Sequence, residues 1–427
     1  MGLAVLATSL ANVALPVIAR SFQVGPSSVT WVVGSYQFAA TVTLLPLSAL
    51  GELFTYRRVF LFGMAIFLAA SLGCVFAPSL SVLVLSRGIQ GIGAAAMMGT
   101  SSALIRFIYP APMLPRGMGS VAAVVALASA AGPPLASAML AFVEWRWLFS
   151  IGLLGASAFL IGWRTLPGSP RGGHKFDLLS AVLYGLSLGA IVLGVDLISR
   201  DILLFGSCEL VGIVVGACLV WRQRFLDVPL LPFDLLRRPL FSTSIGASAC
   251  CFAAQMLAFV SLPFLLQVQL GLSVVETGLL MTPWPLATVV MTPIAARLCS
   301  RGNLSLIAGC GLLTMASGLV LTGYLVPTSS YLNIVWRLGL AGLGFGLFQL
   351  PNNTLIIGAA PAERVGSAGG LLATARLLGQ TVGAAVAAVI LSICGSAGSP
   401  LGLKLAGAAA VLAAIISVLR STLAPGR

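Results

Sequence analysis

Leu85-Ser86-Arg87-Gly88-Ile89-Gln90-Gly91-Ile92-Gly93 lies inside an apolar run from Ser79 to about Arg106 that is long enough to cross a bilayer. At roughly 1.5 Å rise per residue, Arg87 sits about 12 Å into that helix. A charge there costs several kcal/mol unless it faces protein or a water-filled cavity. The run therefore predicts a cavity-facing cation, a mark of function rather than of stability. Glycines 88, 91 and 93 let neighbouring backbones approach, and Gln90 falls about 60° round the helix from Arg87, near the same face.

The rest of the chain has the same character. Of 427 residues, 59% are hydrophobic and only 8% charged, more apolar surface than a soluble domain can hide. Backbone groups in lipid must be satisfied internally, so the spans are helices or closed barrels. Apolar runs of helical length, rather than short alternating segments, select helices. The net charge of +13 belongs to cytoplasmic loops rather than to a nucleic-acid surface, since no basic patch accompanies a soluble fold. All eight cysteines fall in predicted spans or at their edges and read as small hydrophobes. His174, the single histidine, sits in a basic loop, so no metal site is expected. Met1-Gly2 opens directly into an apolar helix, and Leu6 stands where a myristoylation signal needs Ser or Thr. The first helix is expected to be a retained span with a shortened leader.

Fourteen helices are predicted, at about 3–19, 30–50, 59–77, 79–105, 117–142, 147–166, 178–198, 202–221, 241–266, 275–298, 304–325, 332–358, 366–394 and 401–419. With both termini in the cytoplasm, sixteen of the 23 Lys and Arg fall on that side and five on the other, leaving Arg87 and Arg376 within helices. The fourth-span pattern is echoed in the twelfth as Leu338-Gly339-Leu340-Ala341-Gly342-Leu343-Gly344, with the glycines kept and Arg and Gln replaced. Gly51-Glu52-Leu53 with Arg57-Arg58, after the second span, has a weaker counterpart in Ala296-Arg297-Leu298 and Arg301, after the tenth. The expected organisation is a six-helix bundle over 1–170, an inserted helix pair with basic flanks over 171–240, and a second six-helix bundle over 241–427. Such halves bracket a midplane site and rock about it, giving alternating access.

These residues resemble the major facilitator superfamily, specifically its fourteen-helix drug/proton antiporter branch, over nearly the whole chain. Leu6-Ala7-Thr8-Ser9-Leu10-Ala11-Asn12-Val13-Ala14-Leu15-Pro16 is similar to the branch's first-helix motif, with Ala7 where that motif has Asp. Trp31-Val32-Val33 through Tyr36 fits its second helix. Arg87 with Gln90-Gly91-x-Gly93 matches the fourth-helix motif, whose arginine the family is thought to use near the proton-coupling site. Ala128-Ser129-Ala130-Ala131-Gly132-Pro133-Pro134 resembles the fifth-helix antiporter motif. Trp145-Arg146-Trp147-Leu148-Phe149, Phe176-Asp177 and Gly366-Ser367-Ala368-Gly369 leading to Arg376 and Gly379 fit the branch as well. The loop Gly51-Glu52-Leu53-Phe54-Thr55-Tyr56-Arg57-Arg58 is shorter than the family form and lacks its Asp.

The acids leave little to carry a proton. Nine of the ten lie in loops or near span ends, and only Glu209, about 10 Å into the eighth helix, is embedded. Glu209 is thus either a proton site or a lipid-edge or partner contact. The expected cavity is lined by Asn12, Gln37, Arg87, Gln90, Gln255, Gln349, Asn352, Asn353, Arg376 and Gln380, with Ser9 and Gln267 beside them. Two arginines without a carboxylate repel organic cations and attract anionic or electron-rich neutral solutes. Gly132-Pro133-Pro134 predicts a kinked hinge in the fifth helix, and Pro283, Pro285 and Pro293 a bent tenth helix. Gly51, Glu52, Arg57 and Arg58 form the expected cytoplasmic gate. Gly342-x-Gly344-x-Gly346 has dinucleotide-loop spacing but no strand–turn–helix setting, and reads as helix packing.

The reading is an all-α polytopic membrane protein of the major facilitator fold, not an enzyme. Membrane-embedded catalysis on lipids would need clustered acids, histidines or a metal at one bilayer face. The expected function is proton-coupled efflux of hydrophobic or amphipathic small molecules of the multidrug type. The alternative, raised by Ala7, is an uncoupled or anion-preferring exporter, or a coupling-deficient variant. The resemblance implies the bacterial cytoplasmic (inner) membrane. No cofactor is expected, with the proton as candidate coupling ion. The expected partners are a small-molecule substrate and the lipid bilayer, with a monomeric chain and a periplasmic adaptor left open.

Overall fold

The computed structural model describes residues 2–110, 113–168, 177–197, 202–226, 233–300, 302–359 and 365–423. Among them every regular element is helical. The order is α1 (Gly2–Phe22), α2 (Pro26–Phe54), α3 (Tyr56–Val75), α4 (Leu80–Ile108), α5 (Leu114–Phe142), a 3₁₀ stretch Trp145–Leu154 running into α6 (Gly155–Thr165), α7 (Leu178–Leu197) and α8 (Ile202–Gln223). It continues with the short α9 (Phe233–Leu236), α10 (Pro239–Phe264) ending in a π-turn over Leu265–Gln269, α11 (Val274–Met281), α12 (Pro283–Cys299), α13 (Leu304–Thr322), α14 (Tyr331–Gly358), α15 (Val365–Cys394) and α16 (Ser399–Leu423). By length and apolarity, eleven stretches can cross a bilayer; the last of them, Ala368–Arg420, holds two helices, and Leu127–Phe142 and Leu178–Gly194 are shorter apolar helices. The chain is an integral membrane protein.

Local chemistry sets the helix ends. The Ser79 hydroxyl accepts from the Val82 amide, the Asn303 side chain from the amides of Ser305 and Leu306, and the Ser330 hydroxyl from Asn333, each taking up a donor that a first turn leaves orphaned. Ser273 and Glu276 form a reciprocal capping box at α11. Thr55, at φ +109°, makes the corner between α2 and α3 and accepts from the Arg58 amide. The expected bend in the tenth span appears as an interruption at Thr282 between α11 and α12, where Pro283 and Pro285 have no amide hydrogen to donate. α5 stays helical through Pro133 and Pro134.

The sequence echo is also a packing echo. A β-carbon on Gly91 of α4 would fall 2.3 Å from the Tyr36 carbonyl oxygen of α2, and one on Gly342 of α14 would fall 2.1 Å from that of Trp284 in α12. One on Gly93 would lie 2.6 Å from the Gly63 carbonyl oxygen of α3, and one on Gly344 would lie 2.5 Å from that of Gly311 in α13. Only glycine permits backbones this close. α4 therefore sits between α2 and α3 as α14 sits between α12 and α13. The N-terminal helices α1–α6 meet the C-terminal helices α10–α16 where α2 packs on α15, α5 on α11 and α1 on α10. α7 leans on α2 and α15, and α8 packs on α7 with Leu203 and Leu210 exposed.

Candidate functional site

α4 carries Arg87 to full burial between α2, α3 and the Trp145–Leu154 stretch. Its Nε donates to the Val32 carbonyl at 3.0 Å and its Nη1 to Gln90 Oε1. Gln90 Nε2 donates in turn to Ser71 Oγ at 2.8 Å, and Ser71 to the Phe67 carbonyl at 2.7 Å. The guanidinium carbon stands 4.3 Å from the Tyr36 ring centre and 5.7 Å from that of Phe149, cation–π distances. Nη2 has no partner, and no carboxylate among the described residues is bonded to Arg87. An uncompensated buried cation of this kind costs several kcal/mol. In this conformation Arg87 is walled in by protein rather than open to a cavity.

Arg376 of α15 is partly buried, with its guanidinium carbon 5.2 Å from the Phe252 ring and Nε unpartnered. Tyr36 lies within electrostatic reach of both arginines, and its hydroxyl donates to the Ala4 carbonyl at 3.1 Å. Ala7 is buried in the cluster with Tyr36, Met64, Phe67, Ala94 and Met97. The acid of the family motif is thus replaced by a methyl group beside the ring on which Arg87 rests.

The predicted amides divide into three groups. Asn12 and Gln37 are buried with Asn12 Oδ1 and Gln37 Oε1 unbonded, and Gln267 reaches across from α10 to donate to the Val13 carbonyl at 3.1 Å. One turn beyond Gln37, the Thr41 and Thr381 hydroxyls meet at 2.8 Å and join α2 to α15. Gln255, Gln349, Asn353 and Gln380 are partly buried and make no side-chain hydrogen bond among the described residues. Asn352 stands apart: it donates to the Ser244 carbonyl at 3.2 Å and to Ser248 Oγ at 2.7 Å, and accepts from Arg420 Nη1 at 2.6 Å. Arg420, which the charge count assigns to a loop, is fully buried and also donates to Ser305, Ser244 and Ser417. It gathers α10, α13, α14 and α16 around neutral oxygens, so Asn352 serves this knot.

The hinge motif packs tightly. A β-carbon on Gly132 would fall 2.1 Å from Ser9 Oγ, and Ser137 Oγ donates to the Pro133 carbonyl at 2.9 Å. A β-carbon on Gly278 of α11 would lie 2.5 Å from that same Pro133 oxygen, so α5 and α11 are in backbone contact there. At the opposite end, Gly51 abuts Tyr56 and Thr100, Arg57 donates to the Trp163 carbonyl and Arg58 is exposed. The Glu52 side chain lies outside the described residues. Glu209 is partly buried against Gly194 of α7, with Oε1 unbonded. Trp284, which the sequence offers only as a neighbour of two prolines, is 1% exposed and its indole Nε1 lacks an acceptor. Its position opposite Gly342 parallels Tyr36 opposite Gly91, a cue that the glycine echo carried.

Outside the spans, Asp177 accepts from the Ser180 amide at 3.1 Å, from the Ser180 hydroxyl, and from Arg222 Nη2 at 3.0 Å, tying the start of α7 to the end of α8. Partial desolvation pushes its carboxyl up, and the bonds from Ser180 and Arg222 outweigh that and hold it below the usual carboxylate range.

Comparison with known proteins agrees with this architecture. The sequence profile of the Major Facilitator Superfamily matches residues 1–384 and 244–424. The chain is 48% identical to the uncharacterized transporter YebQ of Escherichia coli, over 99% of this chain and 93% of that protein. It is 32% identical to the multidrug resistance protein Stp of Mycobacterium tuberculosis, over 90% and 72%. Its fold superposes on the crystal structure of a POT family transporter in complex with 5-aminolevulinic acid with a TM-score of 0.70 at 14% identity, covering 99% of this chain and 95% of that one.

Proposed function

The chain belongs to the major facilitator superfamily and is a membrane transporter of that family; on that premise we propose that it is a secondary active exporter of hydrophobic or amphipathic small molecules, exchanging them for protons by alternating access. In this reading residues 1–170 and 241–427 are two six-helix bundles and 171–240 an inserted pair. The fourteen spans lie in the bacterial cytoplasmic membrane with both termini inside. The observation that carries it is the repeated glycine packing of α4 and α14, because two similarly built halves meeting along α2–α15 and α5–α11 can exchange closure between the two faces. The relative Stp, a multidrug resistance protein, supports efflux as the direction. Glu209 is the proton site of this reading, and Arg376 and the unbonded amides belong to the cavity, with Arg87 and Gln90 enclosed behind its wall.

Ala7 favours a second reading, an uncoupled or anion-preferring exporter. Purified protein in liposomes separates the two. Uptake of a hydrophobic dye accelerated by an acid-inside gradient, and abolished when an ionophore collapses it, is the antiport result. Solute counterflow that ignores the gradient removes proton coupling and keeps the exporter; no flux of either kind removes the exporter reading.

A further inference from the structure

Arg87 and Arg376 come from opposite halves of the chain; Arg87 rests on the Tyr36 ring and Arg376 on that of Phe252, with the Tyr36 hydroxyl within electrostatic reach of both. The four acids whose side chains are described are engaged elsewhere or remote. Glu144 pairs with Arg146, Asp177 with Arg222, and Glu276 with Tyr331 and Ser273, while Glu209 faces α7. Among the described residues, two intramembrane cations therefore share no counter-ion. Each also keeps an unspent donor: Nη2 on Arg87, whose other donors are held by Val32 and Gln90, and Nε on Arg376. The surroundings are aromatic, with Tyr36 and Phe149 at Arg87, Phe252 at Arg376, and Phe345 5.7 Å from Phe252.

Resting on the transporter reading, we propose that this exporter's cargo includes aromatic organic monoanions, whose carboxylate is held by Arg376 and stabilised by Arg87 while the ring lies among Tyr36, Phe252 and Phe345. A guanidinium whose face rests on a ring presents its N–H edge, and that edge is the geometry a carboxylate takes. Arg376 is partly exposed and makes the first contact. Arg87, fully enclosed, supplies field from a low-dielectric setting, where an anion gains most and an organic cation is repelled. An inorganic anion would gain the same charge but leave the aromatic walls unused.

Thermal unfolding of the purified full-length protein in detergent, with gluconate as the only other anion, tests this with three probes of one shape. 2-Naphthoate is expected to raise the unfolding temperature at concentrations at least tenfold lower than 2-naphthamide or 2-naphthylmethylammonium. Arg376→Gln is expected to weaken the naphthoate effect at least tenfold, and Arg376→Lys to restore part of it. Equal protection by the cation, no protection by 10 mM naphthoate, or chloride alone giving the full effect would overturn the proposal. If Arg376→Gln does not fold, the three-probe comparison on the unaltered protein still decides. Dye flux without naphthoate binding sinks this cargo class alone; naphthoate binding without flux of any solute sinks the exporter reading and leaves the anion a ligand of the site.

Discussion

The guanidinium carbon of Arg87 lies 4.3 Å from the centre of the Tyr36 ring, two helices apart, in a setting that gives the cation no carboxylate among the described residues. A charge buried on those terms contributes little to stability, because the ring and the neutral acceptors return only part of the lost hydration. Its burden makes sense as function, and its removal is informative. Arg87→Met is expected to leave the unfolding temperature unchanged or raise it, while transport is lost. A strongly destabilised Arg87→Met protein would mean that the cation serves the fold.

Arg420 is the opposite case. Its donors are met by Ser305, Ser244, Asn352 and Ser417, so Arg420→Met would strand those oxygens among α10, α13, α14 and α16. The expected loss is about 2–4 kcal/mol, a few degrees in unfolding temperature. A neutral outcome would show that the knot reorganises around water.

Glycine packing makes a paired prediction. Gly91→Ala and Gly342→Ala each force a methyl group onto a carbonyl oxygen, at 2.3 and 2.1 Å, and each should destabilise by about 1–3 kcal/mol. Gly339→Ala, in the same helix as Gly342 but with nothing near the new carbon, should be neutral or mildly stabilising. Thermal unfolding of the three variants checks the repeat; indistinguishable costs would refute it.

Ala7 sits in the cluster that contains Tyr36, so Ala7→Asp would place a carboxylate near the ring that Arg87 covers. Dependence of dye uptake on the pH gradient should then strengthen. An unchanged dependence would place coupling at another group, with Glu209 and Glu52 next to test.

Asp177 gives a pH effect of known sign. Its carboxyl is held below the ordinary range, so the contribution of the α7–α8 tie is present above the unfolded value near 4 and fades as pH falls through the folded one. Hydrogen exchange at the start of α7 should quicken below about pH 4, and Asp177→Asn should remove that pH dependence. The pair is about one-third exposed, so the effect is local and under about 1 kcal/mol.

Much of this was legible in the sequence. Apolar runs marked the helical segments, and the Gly91/Gly93 pattern repeated at Gly342/Gly344 announced the matching contacts, because close backbone approach needs glycine wherever it occurs. Pro283 and Pro285 foretold the interruption of the tenth span. Two features lay beyond reach. Arg420 looked like a loop cation because its acceptors, Ser244, Ser305 and Asn352, are distant in sequence and meet only after α10, α13 and α14 pack. Asn352 and Asn353 are neighbours of one residue type, yet the turn of the helix sends only the first into that knot. The 3₁₀ geometry of Trp145–Leu154 and the π-turn at Leu265–Gln269 were likewise hidden, because apolar periodicity does not separate helix types.

The central claim is that two similar halves rock about the contact between α5 and the α11–α12 segment. Spin labels at Phe142 and Val275, and in a second sample at Met113 and Leu298, report the distance between those segments at opposite ends of the bundle; all four positions are exposed. Pulsed electron-spin distance measurements in nanodiscs across a pH and solute series should show the two distances changing in opposite senses. If both stay fixed, or lengthen and shorten together, the halves do not alternate and the account is wrong.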